Sequence, residues 1–168
     1  FYFVYSYFNN EISFKTSEHI KNLNNYQAIK NLHEQCFAPT RRINLVNYHM
    51  QQQQISGSIA QHTIEKQIDS FLKELDDSFK HTTNITVMSQ GNKIIGLYSC
   101  SSDNDRFFGD DSLIWNVCLQ KEHQGLGKGQ KLVWHAINRC KQNHDHLLLT
   151  VDKENIRAQN IYKKLGFK

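Results

Sequence analysis

The sequence predicts one α/β domain in which strands and helices alternate along the chain. The first observation is its length, because 168 residues correspond to about one domain of roughly 150 residues. The second is a hairpin signal, since the apolar runs 85–88 and 94–98 flank Gly91-Asn92. The third is the order strand, glycine-rich loop, helix, strand, helix in residues 113–168. Together they predict a β-sheet flanked by helices.

The first half of the chain is typical of a strand followed by helices. Residues 11–16 alternate apolar and polar side chains, as a half-buried strand does. Helical spacing follows in Tyr26, Ile29, Leu32, His33 and Cys36. Pro39, the only proline, is expected to close that helix. Residues 40–57 are polar and glutamine-rich, which fits either a loop on the substrate side or a weak helix. A further amphipathic helix is indicated by Ile64, Ile68, Phe71, Leu72 and Leu75.

The second half after the hairpin alternates buried strands and helices. Residues 113–119 are nearly all apolar and predict a central strand covered on both faces, and residues 147–151 predict another buried strand. A helix between them is marked by Gly129, Leu132, Val133, Ala136, Ile137 and Cys140. The last helix is marked by Ala158, Ile161, Tyr162 and Leu165 and should end at Gly166.

Residues 1–10 are read as an extra N-terminal strand, because residues 1–8 are almost entirely aromatic or β-branched. The segment lacks the positive region and small-residue cleavage site of a signal peptide. An exposed strand of this composition would promote aggregation, so we expect it to be paired, at a sheet edge or between subunits of a homodimer. Residues 11–168 are expected to form the single domain.

Composition excludes several classes of protein. Twenty Lys and Arg against sixteen Asp and Glu give a net charge of +4, and no basic run interleaves with aromatics, so a nucleic-acid partner is not expected. No apolar run approaches the ~20 residues that span a bilayer, so no membrane partner is expected either. The nine histidines form no H-E-x-x-H motif, and no metal site is predicted.

The four cysteines are predicted to be reduced, buried thiols. Cys36, Cys100, Cys118 and Cys140 form no C-x-x-C pair, and each lies in an apolar segment. Free cysteine behaves as a small hydrophobic residue, which favours a cytoplasmic protein. Cys118 as a nucleophile is the weaker interpretation, because its strand offers no activating partner.

The first chemical signal is the loop Gln124-Gly125-Leu126-Gly127-Lys128-Gly129. A turn from a strand into a helix leaves backbone N–H groups unpaired at the positive end of the helix dipole, which suits an anion. Three glycines keep side chains out of the way. The dinucleotide pattern G-x-G-x-x-G fails because Gln130 replaces its third glycine, and the Walker A motif fails for lack of G-K-[ST]. The loop therefore predicts a different phosphate site.

A second motif follows in residues 155–167, N-I-R-A-Q-N-I-Y-K-K-L-G-F. The two segments together resemble the GNAT superfamily of acyl-CoA N-acyltransferases, with its patterns Q/R-x-x-G-x-G/A and N-x-x-A-x-x-x-Y-x-K-x-G-F. The first pattern is matched by Gln124, Gly127 and Gly129; the second is matched by Asn155, Ala158, Tyr162, Lys164, Gly166 and Phe167. The resemblance covers residues 84–168 and implies a mixed, mostly antiparallel sheet, split at its middle and flanked by helices.

The resemblance also implies an activity and a site. The activity is transfer of an acetyl group from acetyl-CoA to a primary amine of a small molecule or peptide. The backbone from Gly125 to Gln130, including Leu126 and Gly127, would hold the coenzyme pyrophosphate, with Lys128 and Gly129 beside it. Cys118, Leu119, Gln124 and Asn155 complete the coenzyme site. The family's strand carries a bulge near Leu119 and splays from its neighbour to form the slot. Tyr162 would protonate the leaving thiolate.

Three questions stay open in the sequence. Residues 113–119 contain no carboxylate to serve as general base, which leaves Asp110, Asp111, Glu122, His123 or a water chain. The missing carboxylate also supports an alternative function, a catalytically silent acyl-CoA-binding or regulatory module. A second alternative is a phosphate-binding protein of unrelated chemistry. Members of the family continue after Gly-Phe into further strands, and residues 1–8 are a hypothetical replacement for them. The acceptor amine is not indicated.

Overall fold

The computed structural model of the protein describes residues 11–19, 26–53, 83–101, 111–141 and 146–168, and the single positions 66, 69, 70 and 73. The aromatic strand predicted for residues 1–10 lies outside the described residues. So does most of the helix predicted around residues 64–75, although positions 66, 69, 70 and 73 within it have helical backbone.

The described residues form one five-stranded sheet in which the strands follow one another in chain order. The strands are β1 Ile12–His19, β2 Thr83–Gln90, β3 Lys93–Cys100, β4 Ser112–Leu119 and β5 Leu147–Leu149. The first three pairings are antiparallel, and β5 is parallel to β4. The predicted mixed, mostly antiparallel sheet is confirmed, as is the β2–β3 hairpin, where Gly91 adopts the positive φ of 56° that its turn requires.

Helices cover both faces of this sheet. They are α1 Tyr26–Gln53, α2 Lys128–Cys140 and α3 Ile156–Lys164. Leu97 and Tyr98 are neighbours on β3 but belong to different apolar clusters, because successive strand residues point to opposite faces. The Leu97 cluster contains Ile29 and Leu32 of α1. The Tyr98 cluster contains apolar residues of α2, so the sheet is the middle layer of three.

Helix α1 differs from the prediction, because it does not end at Pro39 but continues to Gln53. Of the two interpretations of residues 40–57, the helix is therefore correct as far as residue 53. A proline inside a helix removes one hydrogen bond and costs about 3 kcal/mol. The turns before Pro39 are held on the sheet by fully buried Ile29 and Leu32, so tertiary packing outweighs this local preference.

Strand β5 is shorter and more exposed than predicted. It spans three residues instead of five and has only β4 as a neighbour within the described sheet. Leu148 is 41% exposed and Val151, beyond the strand, is 38% exposed. The apolar run of residues 147–151 predicts a strand covered on both faces, but apolar composition alone does not distinguish a central strand from an edge strand.

The prediction of four reduced thiols is wrong. Cys36 is bonded to Cys118, and Cys100 is bonded to Cys140, with Cα–Cα distances of 5.9 and 5.7 Å. The partners are 82 and 40 residues apart in sequence, and only the packing of each helix on the sheet brings them together. Because the expected cytoplasmic location rested partly on reduced thiols, it stays a prediction with less support. No helix in the described ranges is both long and apolar enough to cross a membrane.

Candidate functional site

Strands β4 and β5 separate at the C-terminal half of β4. Their pairing covers only Ser112 to Ile114 on β4 and Leu147 to Leu149 on β5. On the other edge of β4, Cys118 lies opposite Leu97 and Trp115 lies opposite Ser99, so β4 has one residue more than β3 between these pairs. This extra residue is a β-bulge at Asn116, whose φ is +50°. The implied bulge is thus present, three residues before Leu119.

The end of β4 leads directly into the glycine loop. The N–H of Gln120 donates to the carbonyl of Ile95 at 2.8 Å, so Gln120 and Ile95 are a hydrogen-bonded pair. The next pair along the two strands, Gly96 and Leu119, is therefore a non-hydrogen-bonded pair. In such a pair the N–H and C=O groups point away from the neighbouring strand. The carbonyl of Leu119 accordingly accepts a hydrogen bond of 2.9 Å from Nε2 of Gln124. The N–H of Leu119 is directed to the same side, where β5 has diverged.

A short 3₁₀ turn at Lys121–His123 is followed by the loop that begins α2. Gly125 and Gly127 have φ values of 82° and 75°, a region that favours glycine. Gly127 is the N-cap of α2, and the first intrahelical bond runs from the N–H of Lys131 to its carbonyl at 3.1 Å. The N–H groups of Lys128, Gly129 and Gln130 therefore have no acceptor within the helix. These unpaired N–H groups are the feature on which the prediction of an anion site depends, and the site itself stays a prediction.

Two glycines of the loop meet different surroundings. A Cβ at Gly127 would have no atom within 4 Å, so the space in front of the helix terminus is open. A Cβ at Gly129 would lie 3.2 Å from Cδ1 of Ile161 and 3.9 Å from Cδ2 of Leu119. The first turn of α2 is therefore packed closely on α3 and on the end of β4. This contact brings α3, the helix that carries Tyr162, against the start of α2.

The cationic groups around the loop do not all face it. Nζ of Lys128 donates to Oε1 of Gln90 at 2.8 Å and to Nδ1 of His123 at 2.9 Å. Partial burial lowers the pKa of His123, and the ammonium of Lys128 lowers it further. Arg157 of α3 lies on the other side, with Nη1 donating to Oε1 of Gln124 at 3.0 Å.

Tyr162 lies on α3 with only 8% of its surface exposed, and burial raises the pKa of its hydroxyl. Its backbone explains the Gly-Phe that ends the motif. The N–H of Phe167 donates to the carbonyl of Tyr162, and the N–H of Gly166 donates to that of Lys163, both at 3.1 Å. This is a Schellman motif, with Gly166 at φ 99°. The accompanying apolar contact is the edge-on pair of Tyr162 and Phe167, with ring centroids 6.0 Å apart.

The other predicted site residues have structural roles that are visible in the fold. Oδ1 of Asn155 accepts from the N–H of Ala158 at 3.1 Å and thereby caps α3. Cys118 is buried and bonded to Cys36, so its sulfur is not a thiol. Leu126 and Gln130 are exposed, Leu126 to 67%.

The candidates for general base are spread over the molecule. Glu122 is exposed and pairs with Lys93 at 3.1 Å; hydrogen bonds from its own backbone and from Lys93 lower its pKa. His123 accepts from Lys128, as described above. Asp111 precedes β4, on the far side of the strand from the loop, and Asp110 lies outside the described residues. The structure brings none of the described three together with Tyr162 by a contact.

Two features of the site escaped sequence reasoning. The bulge residue Asn116 lies 3.4 Å, Oδ1 to Nε2, from the buried imidazole of His33 on α1. Only the register of β3 and β4 reveals it, although asparagine is one of the few residues that accept a positive φ. Arg157 stands inside the recognised motif, but at a position that the pattern leaves open.

Comparison with known proteins identifies the family of the chain. Residues 45–167 match the acetyltransferase (GNAT) family. The chain belongs to this family. The resemblance inferred from the two motifs is confirmed.

Solved structures agree on the GNAT fold. The chain is similar to an IAA acetyltransferase from Bacillus cereus, with a TM-score of 0.56 and 16% identity over 94% of this chain and 77% of that one. A GNAT family acetyltransferase from Streptococcus pneumoniae gives a TM-score of 0.53 and 14% identity, over 94% and 88%. At these identities the likeness shows the fold alone.

Among curated proteins, the chain resembles an uncharacterized N-acetyltransferase, ycf52, of the red alga Porphyra purpurea. The two are 27% identical over 100 residues, which is 57% of this chain and 54% of the relative. The protein of the same name from Pyropia yezoensis gives the same figures. The chain thus spans about half the length of the curated relatives it matches.

Proposed function

We propose that this GNAT protein transfers an acetyl group from acetyl-CoA to a primary amine by direct attack, without a covalent enzyme intermediate. The observation that supports this most is the contact between α2 and α3 at Gly129 and Ile161. An anion-binding helix terminus, the diverging edge of β4 and the largely buried Tyr162 would then surround one slot. Each of these parts suits a different portion of an acyl-CoA molecule.

The phosphate end of the coenzyme would bind the N-terminus of α2. The N–H groups of Lys128, Gly129 and Gln130 lack intrahelical acceptors, and the helix dipole favours negative charge there. Gly125, Leu126 and Gly127 supply exposed backbone beside them, and the open space at Gly127 admits a phosphate. Gln124 would act on the ligand indirectly, because both ends of its amide are bonded within the protein.

The thioester end would lie where β4 diverges from β5. The N–H of Leu119 points toward this gap and is our candidate for the donor that stabilises the developing oxyanion. The backbone of Cys118 and the start of α3, which Asn155 caps, would border the same gap. In the reaction the amine nitrogen bonds to the acyl carbon, the carbon–sulfur bond breaks, and the thiolate takes a proton from the Tyr162 hydroxyl. The proton that the amine nitrogen loses passes to water, and the Tyr162 oxygen regains a proton from water.

Burial of Tyr162 has two opposing effects on this role. It raises the pKa, which keeps the hydroxyl protonated throughout the neutral range, and it makes the group a weaker acid. The first effect ensures that the proton is present, and the low polarity around the ring strengthens a hydrogen bond to a developing thiolate. Tyr162 is therefore suited to assist the leaving group and not to ionise itself.

Thermal unfolding with acetyl-CoA, CoA, ATP and NAD tests the proposal first. A ligand at about 100 times its Kd adds ~2.7 kcal/mol, so acetyl-CoA and CoA should raise the Tm and the two nucleotides should not. A free-thiol assay with lysine, tyramine, spermidine and a peptide with a free N-terminus then tests transfer. Equal shifts with all four ligands would contradict an acyl-CoA site.

Tyr162→Phe tests the role of the hydroxyl. We expect kcat to fall by about tenfold to a hundredfold while acetyl-CoA affinity is kept, because the ring still packs on Phe167. Equal losses of affinity and kcat would indicate packing only. Phe167→Leu is the matched control, since it disturbs the same ring pair and leaves the hydroxyl in place.

The second candidate function is a catalytically silent acyl-CoA-binding or regulatory module. Strand β4 supports it, because residues 113–119 contain no carboxylate. This candidate predicts that acetyl-CoA raises the Tm while no amine releases free CoA. Release of CoA that requires one particular amine would reject it.

A further inference from the structure

The guanidinium of Arg157 lies against the glycine loop. Nη1 donates to Oε1 of Gln124 at 3.0 Å. Nη2 lies 3.1 Å from the position that a Cβ at Gly125 would occupy, and Gly125 has a φ of 82°. Arg157 is in the first turn of α3, two residues after the N-cap Asn155. One side chain thus joins the start of α3 to the loop that precedes α2.

Gln124 extends this connection to the central sheet. Its Oε1 accepts from Arg157, and its Nε2 donates to the carbonyl of Leu119 at 2.9 Å. Both ends of the amide are engaged, and these two bonds orient the side chain. Arg157, Gln124 and Leu119 therefore form a continuous hydrogen-bonded clasp between α3, the loop and the end of β4.

The clasp is placed where the sheet no longer holds these elements together. The parallel pairing of β4 and β5 ends at Ile114 and Leu149. Leu119 is five residues beyond that point, and α3 follows β5 in the chain. No β4–β5 ladder fixes the separation there. Besides the packing of α2 on α3, the two hydrogen bonds of Gln124 connect α3 to the end of β4.

We infer that Arg157 is a positioning residue that acts through Gln124 to set the width of the acyl-CoA slot between β4 and α3. The inference rests on the proposed function. Arg157 acts at both ends of that slot, because Gln124 bonds to Leu119 while α3 carries Tyr162 five residues after Arg157. A slot fixed before the ligand arrives binds more tightly, since less ordering is needed on binding.

If Arg157 acts through Gln124, substitutions of the two residues lower acetyl-CoA affinity through one shared contact. If Arg157 instead contacts a coenzyme phosphate directly, the two effects on affinity are independent. The test is a double-mutant cycle on acetyl-CoA affinity, measured by calorimetry with wild type, Arg157→Ala, Gln124→Ala and the double variant. We expect each single variant to raise Kd by about fivefold to tenfold, the size of one ordinary hydrogen bond, and the double variant to raise it no further. Independent, multiplying effects of the two variants would overturn the inference.

Two further variants separate positioning from charge and from folding. Lys163→Ala removes a cation from an exposed position of the same helix and should leave Kd unchanged. Arg157→Lys can still donate one bond to Gln124 and should restore part of the affinity. If Arg157→Ala binds acetyl-CoA with the same Kd as wild type, the role of Arg157 is refuted and the proposed function is not. Failure of wild type itself to bind acetyl-CoA would refute the proposed function and this inference with it.

Discussion

The hydroxyl of Tyr98 on β3 is bonded to Nδ1 of His135 on α2 at 2.7 Å. Tyr98 is also bonded to the hydroxyl of Thr86, which in turn lies 2.9 Å from that of Thr16. A chain of four polar side chains therefore runs along one face of the sheet, from β1 across β2 and β3 to α2. Burial raises the pKa of Tyr98 and lowers that of His135, so both groups favour their neutral forms.

Acid should destabilise the protein through His135. Its pKa in the folded state is below the ordinary value of 6.5, because burial and the nearby Arg139 disfavour the cation. Its contribution to the free energy of unfolding is therefore complete above pH 6.5 and is lost as pH falls below it. We expect the Tm of wild type to fall more steeply from pH 7 to pH 5 than that of His135→Gln, which keeps an acceptor for Tyr98.

His123 provides the matched control for that comparison. Its pKa is also lowered, by burial and by Lys128, but it lies on the surface beside the loop. His123→Gln should flatten the same pH dependence less than His135→Gln does. Parallel pH curves for wild type and His135→Gln would show that the buried pair does not govern acid stability.

Gly96→Ala should destabilise the protein at the junction of β3 and β4. The added Cβ would lie 3.0 Å from the carbonyl oxygen of Cys118, 3.1 Å from Cδ1 of Leu119 and 3.3 Å from Cδ2 of Leu132. Overpacking of this kind costs about 1–3 kcal/mol, measurable by urea unfolding. Leu132→Val in the same chain removes one of the three contacts and should return part of the loss. Unchanged stability of Gly96→Ala would contradict the close packing described.

Gly127→Ala should weaken coenzyme binding more than it weakens the fold. Backbone strain at a φ of 75° costs about 1 kcal/mol, but the new methyl group meets no protein atom within 4 Å. That methyl group would instead occupy the space proposed for the pyrophosphate. Gly127→Asn is the control for strain, because asparagine tolerates this φ and should cost less stability. Equal acetyl-CoA affinity of Gly127→Ala and wild type would place the phosphate elsewhere.

Loss of the Cys36–Cys118 bond should cost more stability than loss of the Cys100–Cys140 bond. Each disulfide is expected to contribute about 2–4 kcal/mol, mainly by restricting the unfolded chain. The sequence separations are 82 and 40 residues, and a doubling of loop length adds about 0.6 kcal/mol. Urea unfolding of the two double serine variants measures the difference. Equal stability of reduced and oxidised wild type would contradict both contributions.

The parts of the fold that the sequence predicts are those that depend on local pattern. The hairpin is marked by Gly91-Asn92, and α3 is marked at both ends by Asn155 and Gly166. The phosphate loop is equally local, because its glycines adopt φ values that follow from their own chemistry.

The remaining features depend on which distant segments meet. Asn116 is a bulge only because β3 and β4 adopt one particular register, and the cysteines pair only because α1 and α2 pack on opposite faces. Arg157 reaches Gln124 across 33 residues, which no spacing within a motif reveals. Pro39 is the opposite case. Its local preference predicts the end of a helix, but α1 continues past it because the preceding turns are packed on the sheet.

The order of the four cysteines along the chain has a consequence for protein that has been cut by a protease. Cys100 lies inside the segment closed by Cys36 and Cys118, and Cys140 lies outside it, so the two closed segments overlap. A single backbone cut anywhere between residues 36 and 140 therefore leaves the two pieces joined by at least one disulfide. Nicked material would run as one band on a non-reducing gel and separate only after reduction.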